Sequence, residues 1–406
     1  MEENNKKMKV LQICHKPPLP PIDGGCIAIK NISSGLINQL ESIKILTIST
    51  LKHPFNKKYY SKTFLEKTQI EHVFVDTSLN IVDAFSSLVT YDSYNISRFF
   101  SPDFDQLIIN TLKTYSFDII ILESLFTTPY ISTIRTYSTA KIILRSHNLE
   151  HVIWERLAKE SINPAKKIYL KLLSSQLKTY EINTLKDIDG IAAISNEDKK
   201  KYLELGCEKP IVTIPFGIDI QSYKPTKKEK GKPIQFFHLG AMDWKPNLEG
   251  ISWLINEIWP IIKNEIPHSE LHIAGKNMPK WLLNDSLDGI TNHQHVDDAK
   301  EFMNEYDIML VPLLSAGGVR VKIIEGMALE KAIISTTIGA EGLDFSNNKH
   351  LLIANTPNEF CQKAMQLAMN PSKIESIGKD AREHVFMKYD NQIIITELIE
   401  LFDSIK

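Results

Sequence analysis

Between Asp307 and Leu329 the chain reads Asp-Ile-Met-Leu-Val-Pro-Leu-Leu-Ser-Ala-Gly-Gly-Val-Arg-Val-Lys-Ile-Ile-Glu-Gly-Met-Ala-Leu. An apolar run ends at Pro312, small residues follow from Ser315 to Gly318, and a helix is expected to start near Val319. Glycine lets backbone N–H groups come close to a ligand. A helix N-terminus adds unpaired donors and the positive end of a dipole, which together make an anion site. Arg320 and Lys322 bring two positive charges to the same place, beside Gly317, Gly318 and Val319. Glu325 follows Lys322 by three residues, so the two share a helix face. A carboxylate in that apolar turn can accept both hydroxyls of a ribose. Cations for a diphosphate beside an acceptor for a diol describe a nucleoside-diphosphate site. The plain alternative is an ordinary loop and a Lys–Glu surface pair worth a few tenths of a kcal/mol, and spacing alone weighs the two readings about equally.

Other residues of chemical interest sit at the ends of apolar runs. His147 closes Leu144-Arg-Ser-His and is expected at the carboxyl end of a strand, with Glu150 and His151 in the next helix and His151 as its rival. Imidazole there can donate to a sugar hydroxyl or to developing charge. Glu123 and Ser124 end another run and are acceptor-side candidates. Gly24 and Gly25 lie between a first strand and its helix, a second place where a phosphate could approach; a tight turn explains them as well. Asp187-Ile-Asp189 has the D-x-D spacing of some metal-dependent enzymes, but it precedes a strand and reads as a turn. Asp297 and Asp298 follow a possible strand and read as the cap of the following helix, with Val296 beside them. No metal site is expected.

These positions need strands and helices in alternation to hold them. Apolar runs fall at Val10–Cys14, Ile43–Ile48, His72–Asp76, Ile119–Glu123, Ile142–Ser146, Gly190–Ser195 and Ile211–Pro215. They resume at Ile234–Gly240, Glu270–Gly275, Asp307–Pro312, Ala332–Thr336 and His350–Ala354. Runs apolar on both faces imply parallel strands covered by helices on each side, hence an α/β fold. The polar stretch Asp219–Gly231 separates two series, giving expected domains 1–225 and 226–406. Two such sheets bind ligands at the carboxyl ends of their strands. The last helix, about Asn391 to Ile405, has an apolar stripe that can pack back on the first domain.

Bulk properties bound the partners. A chain of 406 residues suits two domains, and a formal net charge of −2 offers no general attraction to nucleic acid. Four scattered cysteines form no CxxC pair and fit a reducing, cytoplasmic setting. No signal peptide is evident at the N-terminus, and no apolar run reaches the ~20 residues of a membrane span. The basic helix Ala165–Lys178 is compatible with peripheral contact to an anionic membrane face, the plainer reading being a helix packed on its own domain.

The Gly317–Glu325 segment resembles the family 4 glycosyltransferases of the GT-B fold, especially a subgroup reading G-G-x-R-x-K-x-x-E. Further landmarks are Pro215-Phe-Gly-Ile-Asp219, Phe237-His-Leu-Gly-Ala-Met-Asp-Trp-Lys-Pro-Asn247, His295-Val-Asp-Asp298 and Gly339-Ala-Glu-Gly342. The resemblance implies two Rossmann-like domains facing a cleft and transfer of a sugar, with retention, from a nucleoside-diphosphate sugar to a carbohydrate or lipid-linked acceptor, without a metal. It implies roles for His147, Glu325, Arg320 and Lys322 in catalysis, and for Gly24, Gly25, Gly240, Lys245, Val296, Gly317, Gly318 and Val319 in donor binding. Where the wider family carries a first glutamate, this chain has Gly317, so that contact would pass to backbone N–H groups. In the loop after the second domain's first strand, the family's arginine position falls at Met242 and leaves Lys245 as the cation. Arg320 and Lys322 are therefore expected to carry the diphosphate. The alternatives are a GT-B-shaped sugar-nucleotide epimerase and a binding protein without catalysis.

Overall fold

The computed structural model describes residues 8–77, 94–226, 232–283, 288–315 and 319–406. Gly317 and Gly318 lie outside the described residues. The chain forms two compact units, Met1–Gly217 with Asn391–Lys406, and Ile218–Asp390.

The first unit is built on strands β1 (Lys9–Cys14), β2 (Ser42–Ser49), β3 (Glu71–Phe74), β4 (Ile119–Glu123), β5 (Lys141–Ser146), β6 (Gly190–Ala193) and β7 (Ile211–Thr213). Among the described residues they make one seven-stranded sheet in the order β3-β2-β1-β4-β5-β6-β7, with parallel pairing throughout. Alternate residues feed opposite cores. Leu11, Ile13, Ile120 and Leu122 face one side, while Val10, Cys14, Ile119 and Ile121 face the other. Both faces being covered explains why the inner strands read as nearly unbroken apolar runs; the edge strand β3 is exposed at Glu71, His72 and Phe74. The elements that matter below are helices α1 (Gly24–Leu36), α2 (Glu150–Glu160) and α3 (Pro164–Asp187).

The second unit has strands β8 (Gln235–Leu239), β9 (Glu270–Ala274), β10 (Ile290–Gln294), β11 (Ile308–Val311), β12 (Ala332–Ser335) and β13 (Leu352–Ile353). Their order is β10-β9-β8-β11-β12-β13, again all parallel. Strand β10, Ile-Thr-Asn-His-Gln, has no counterpart among the expected runs. It is an edge strand, and only one of its five residues is aliphatic. Three helices concern the site: α4 (Lys245–Trp253), α5 (Ala299–Glu305) and α6 (Val321–Ala328). In each sheet the first strand is central and the chain winds outward first one way and then the other. The switch point, where such sheets bind ligands, lies beside the carboxyl ends of β1 and β4 in one unit and of β8 and β11 in the other.

The units part at Gly217/Ile218, earlier than the 225/226 boundary read from composition. Polar composition marks what meets water, and here it hides two anchors. Ile220 and Tyr223 are buried, the Ile218 N–H donates to Tyr389 O at 2.9 Å, and Ile218 pairs with Asp390. The described part of the polar stretch is therefore packed into the second unit. The last helix, α7 (Asn391–Ile405), belongs to the first unit, where Ile394, Leu398 and Phe402 join the core beneath β1 and β2.

Candidate functional site

In the second unit β8, β11 and α6 bring the expected cations to the switch point. Helix α6 starts at Val321 with Arg320 as its N-cap residue, two residues later than expected. Lys322 is directed back toward β8. Its Nζ donates to Leu239 O at 2.6 Å and lies 3.4 Å from Asn247 Oδ1. Lys322 is thus no surface partner of Glu325, which rules out the plain surface-pair reading. Burial, and then the neighbouring Arg320 guanidinium, push the Lys322 ammonium down to about 8, against a smaller opposing effect of Glu325. Arg320 is itself buried, with its guanidinium carbon 5.6 Å from the centre of the Trp244 ring. That stacking suits a planar cation.

Gly240 follows β8 and lies against this lysine. A Cβ there would come within 2.8 Å of Asn247 and 2.9 Å of Lys322 Nζ. Asn247 Nδ2 donates to Ala241 O at 2.8 Å and holds the turn. Lys245, by contrast, opens α4 on the surface, its Nζ 3.3 Å from Glu249 with most of the side chain exposed. Val319 lies against Gly342, where an added Cβ would meet Val319 Cγ2 at 3.1 Å; Gly342 has φ +78, which only glycine takes without strain. Val296 is half-buried between β10 and α5, and Asp298 caps α5 by accepting from Lys300 N and Glu301 N at 2.7 and 3.2 Å.

Glu325 lies one turn beyond the N-terminus of α6. Its Oε1 accepts from the Tyr223 hydroxyl at 2.7 Å. Burial raises its carboxyl above the usual range, the Tyr223 bond and the lysines opposing. Lys300 Nζ stands 4.1 Å over the Tyr223 ring and donates to Ser222 Oγ at 2.8 Å. Sequence reading missed Tyr223 and Lys300 because they are 102 and 25 residues from Glu325 and carry no spacing signal. One lone-pair position of the carboxylate is taken, and the remainder can still accept from a diol.

The first unit gathers a second polar cluster at its own switch point, centred on Glu123 at the end of β4. Glu123 Oε1 accepts from Gln12 Nε2 at 2.7 Å, and Ser33 Oγ donates to Gln12 Oε1 at 2.7 Å. Glu123 Oε2 accepts from Arg145 Nη1 at 2.8 Å and faces His147 Nε2 at 2.7 Å. His15 Nδ1 lies 2.9 Å from the Glu123 carbonyl, and a carbonyl only accepts, so the proton sits on Nδ1. Burial would raise the Glu123 carboxyl, but Arg145 and His147 outweigh it and hold it at about 2. Burial keeps His147 below its usual value, Glu123 only partly offsetting this. A neutral His147 that donates from Nε2 to Glu123 leaves Nδ1 as an acceptor. Ser124, next in the chain, is buried with φ +77, an unusual conformation for a residue with a side chain. Gln12, His15 and Arg145 were not singled out from sequence; Gln12 and Arg145 are polar residues inside otherwise apolar strands and His15 follows one, and that was the available signal.

His151 does not share this cluster. It begins α2 and packs on α3, where its Nδ1 makes a very short contact with Glu181 Oε2, and Glu181 Oε1 accepts from Glu150 N at 2.8 Å. Burial, and then Glu181, push the Glu150 carboxyl up to about 8. Asp189 likewise has a framework role, accepting from Arg135 Nη2 at 2.7 Å and Ile142 N at 2.8 Å. Gly24 and Gly25 open α1, whose cap Asp23 accepts from Cys26 N at 3.0 Å. A Cβ at Gly25 would fall 2.5 Å from Lys16 Nζ, so this glycine admits the Lys16–Asp23 ion pair. Asp23, Cys26 and His53 place three potential metal-ligand atoms within 4.8 Å of one another. Lys16 Nζ lies 2.9 Å from both Asp23 oxygens, and a divalent cation would have to displace it.

Comparison with known proteins agrees with this architecture. Residues 233–370 match the family model described as glycosyl transferases group 1. A 44.6 kDa protein of the cps region of Klebsiella pneumoniae is 26% identical over 271 residues, which is 64% of this chain and 67% of that one. Among solved structures, sucrose-phosphate synthase from Thermosynechococcus elongatus is 14% identical with a TM-score of 0.69, covering 98% of this chain and 99% of that one. Anabaena HepE in complex with UDP is 12% identical with a TM-score of 0.68, covering 98% and 100%. The chain has the two-sheet α/β architecture of the GT-B fold, and its second unit carries the segment that matches glycosyl transferases group 1.

Proposed function

We propose that the protein transfers a sugar from a nucleoside-diphosphate sugar to a carbohydrate or lipid-linked acceptor, with retention, in the synthesis of a surface polysaccharide or glycoconjugate. The observation that carries this reading is the buried Arg320 and the half-buried Lys322 at the start of α6, with Glu325 on the same helix. Both cations stand at the N-terminus of a helix beside the carboxyl ends of β8 and β11, where their charge and the helix dipole together suit an anion. A diphosphate fits that place, and Glu325 then takes a hydroxyl of the attached ribose. The relatives are consistent with it: one lies in a cps region, and HepE was solved with UDP.

In this reading the bond from the anomeric carbon to the diphosphate oxygen breaks, and one to the acceptor oxygen forms on the same face. The acceptor's proton passes to the departing diphosphate. Arg320 and Lys322 stabilise the charge that builds on that diphosphate, a preorganised electrostatic contribution. His147, neutral and oriented by Glu123, receives or donates a hydrogen bond near the transferred sugar. The charge is balanced by these side chains, so the reading calls on no metal.

Incubation with a donor labelled in the sugar, with and without a chelator, tests it. Label should move to an acceptor whether or not the chelator is present. Label that is isomerised but still nucleotide-linked would indicate an epimerase, and unchanged label with tight nucleotide binding a protein without catalysis. For the ribose contact, Glu325→Gln should weaken a ribonucleotide by about 1.5–3 kcal/mol and its 2′-deoxy analogue by less. Calorimetry showing equal losses would leave Glu325 with only its Tyr223 bond.

A further inference from the structure

We infer that the α2–α3 hairpin of the first unit is a docking surface for an anionic lipid bilayer. Helix α3 has two apolar faces. Its inner one, with Leu173 and Leu177, is buried, and Leu177 joins Ile96 and Leu125 in a small core. Its outer one carries Ile168, Tyr169 and Leu172, which are 70%, 39% and 44% exposed. On a 3.6-residue period, Ile168 and Leu172 fall roughly 100–180° round the helix from Leu173 and Leu177, with Tyr169 at the border between the two faces. Single exposed apolar residues are ordinary, but these form one strip. The hairpin turn adds Ile162, which is 98% exposed, and α2 has Leu157 at 44%.

Charge identifies the occupant. Between Glu155 and Lys178 there are six basic residues and two acidic ones, in a chain of formal net charge −2. Lys167, Lys171 and Lys178 line one edge of the apolar strip on the same helix. An exposed apolar strip edged by lysines matches the boundary between acyl chains and anionic headgroups: aliphatic side chains enter, and ammonium groups stay level with the phosphates. A protein partner of opposite charge would not need an isoleucine as open as Ile162. Among the described residues no helix is long and apolar enough to cross a membrane, so the contact is lateral. This surface does not depend on the proposed transfer chemistry.

Sedimentation of the full chain with lipid vesicles tests it. Vesicles containing ~30% phosphatidylglycerol should retain the protein at ~0.1 M salt and release much of it at ~0.5 M, whereas pure phosphatidylcholine should retain little. Ile162→Asp/Ile168→Asp should lower the fraction bound at least tenfold, and Lys167→Glu/Lys171→Glu/Lys178→Glu should do the same. Since these side chains are largely on the surface, circular dichroism and nucleotide binding should stay as in the parent chain, which separates loss of docking from loss of fold or of the nucleotide site. Absence of binding to the anionic vesicles overturns the inference, as does binding that both variants retain. So does a concentration-dependent dimer that Ile168→Asp dissolves without any vesicle binding, because the strip would then be a contact between copies.

Discussion

Replacement of His147 by alanine is expected to lower turnover by ~10²-fold or more while leaving nucleoside-diphosphate affinity nearly intact. The ring is held by Glu123 Oε2 at 2.7 Å at the end of a buried strand, and is built into the first unit. Arg320, Lys322 and Glu325 belong to the second unit, so the variant touches none of the groups assigned to the nucleotide. A stability readout accompanies it. The Glu123 carboxyl sits at about 2, below its ordinary 4.5. A depressed carboxyl contributes stability that is fully present above the ordinary value and is lost as pH falls toward the folded one. Removing His147 takes away one of the groups that depress it, so acid unfolding followed by circular dichroism should begin at higher pH in His147→Ala. Glu123→Gln should also lower turnover, and it leaves Arg145 as a buried charge without its carboxylate, a change costing about 3–5 kcal/mol. Unimpaired turnover in folded His147→Ala would remove this residue from the chemistry.

The second large effect is expected at Arg320. Arg320→Ala should weaken binding of UDP or GDP by about 1.5–3 kcal/mol, roughly 10- to 150-fold, and hardly change binding of uridine or guanosine. Arg320→Lys should recover only part, because an ammonium neither grips two oxygens nor stacks on Trp244 in the same way. Lys245→Ala is the control: that side chain is exposed and paired with Glu249, so its removal should matter little. Lys322 adds a pH signature. Its ammonium titrates at about 8, pushed there by burial and by Arg320. A bound diphosphate favours the charged form and raises that value, so binding near pH 8 should take up protons, and affinity should fall as pH rises through 8. Calorimetry in two buffers of different ionisation enthalpy measures the uptake. No proton uptake, with Lys245→Ala abolishing binding and Arg320→Ala harmless, would return the diphosphate to the loop after β8.

The expected apolar runs at the inner strands of both sheets were legible because those strands are covered on two faces, which forces nearly every residue in them to be apolar. Strand β10 was legible only as a possible strand before Asp297, without bounds, since an edge position asks less of Thr291, Asn292 and His293. The units part earlier than the composition break for a related reason: composition reports what meets water, whereas Ile218, Ile220 and Tyr223 are buried in the second unit.

The same division runs through the candidate sites. Arg320, Lys322 and Glu325 are within one turn and a half of helix, and local geometry alone puts them at one end of it. His147 and Glu123 were each placed at strand ends by the apolar runs before them. What the sequence could not say is that Lys322 turns away from Glu325 toward Leu239 O, that Tyr223 claims one oxygen of Glu325, or that Gln12, His15, Glu123, Arg145 and His147 form one network. Those contacts join residues 83, 102 and 111 positions apart. Periodicity is a property of neighbours in the chain, so it fixed which residues end a strand or open a helix. Only the parallel order of the sheets decided which strand ends lie side by side, and with that which polar groups share a buried place.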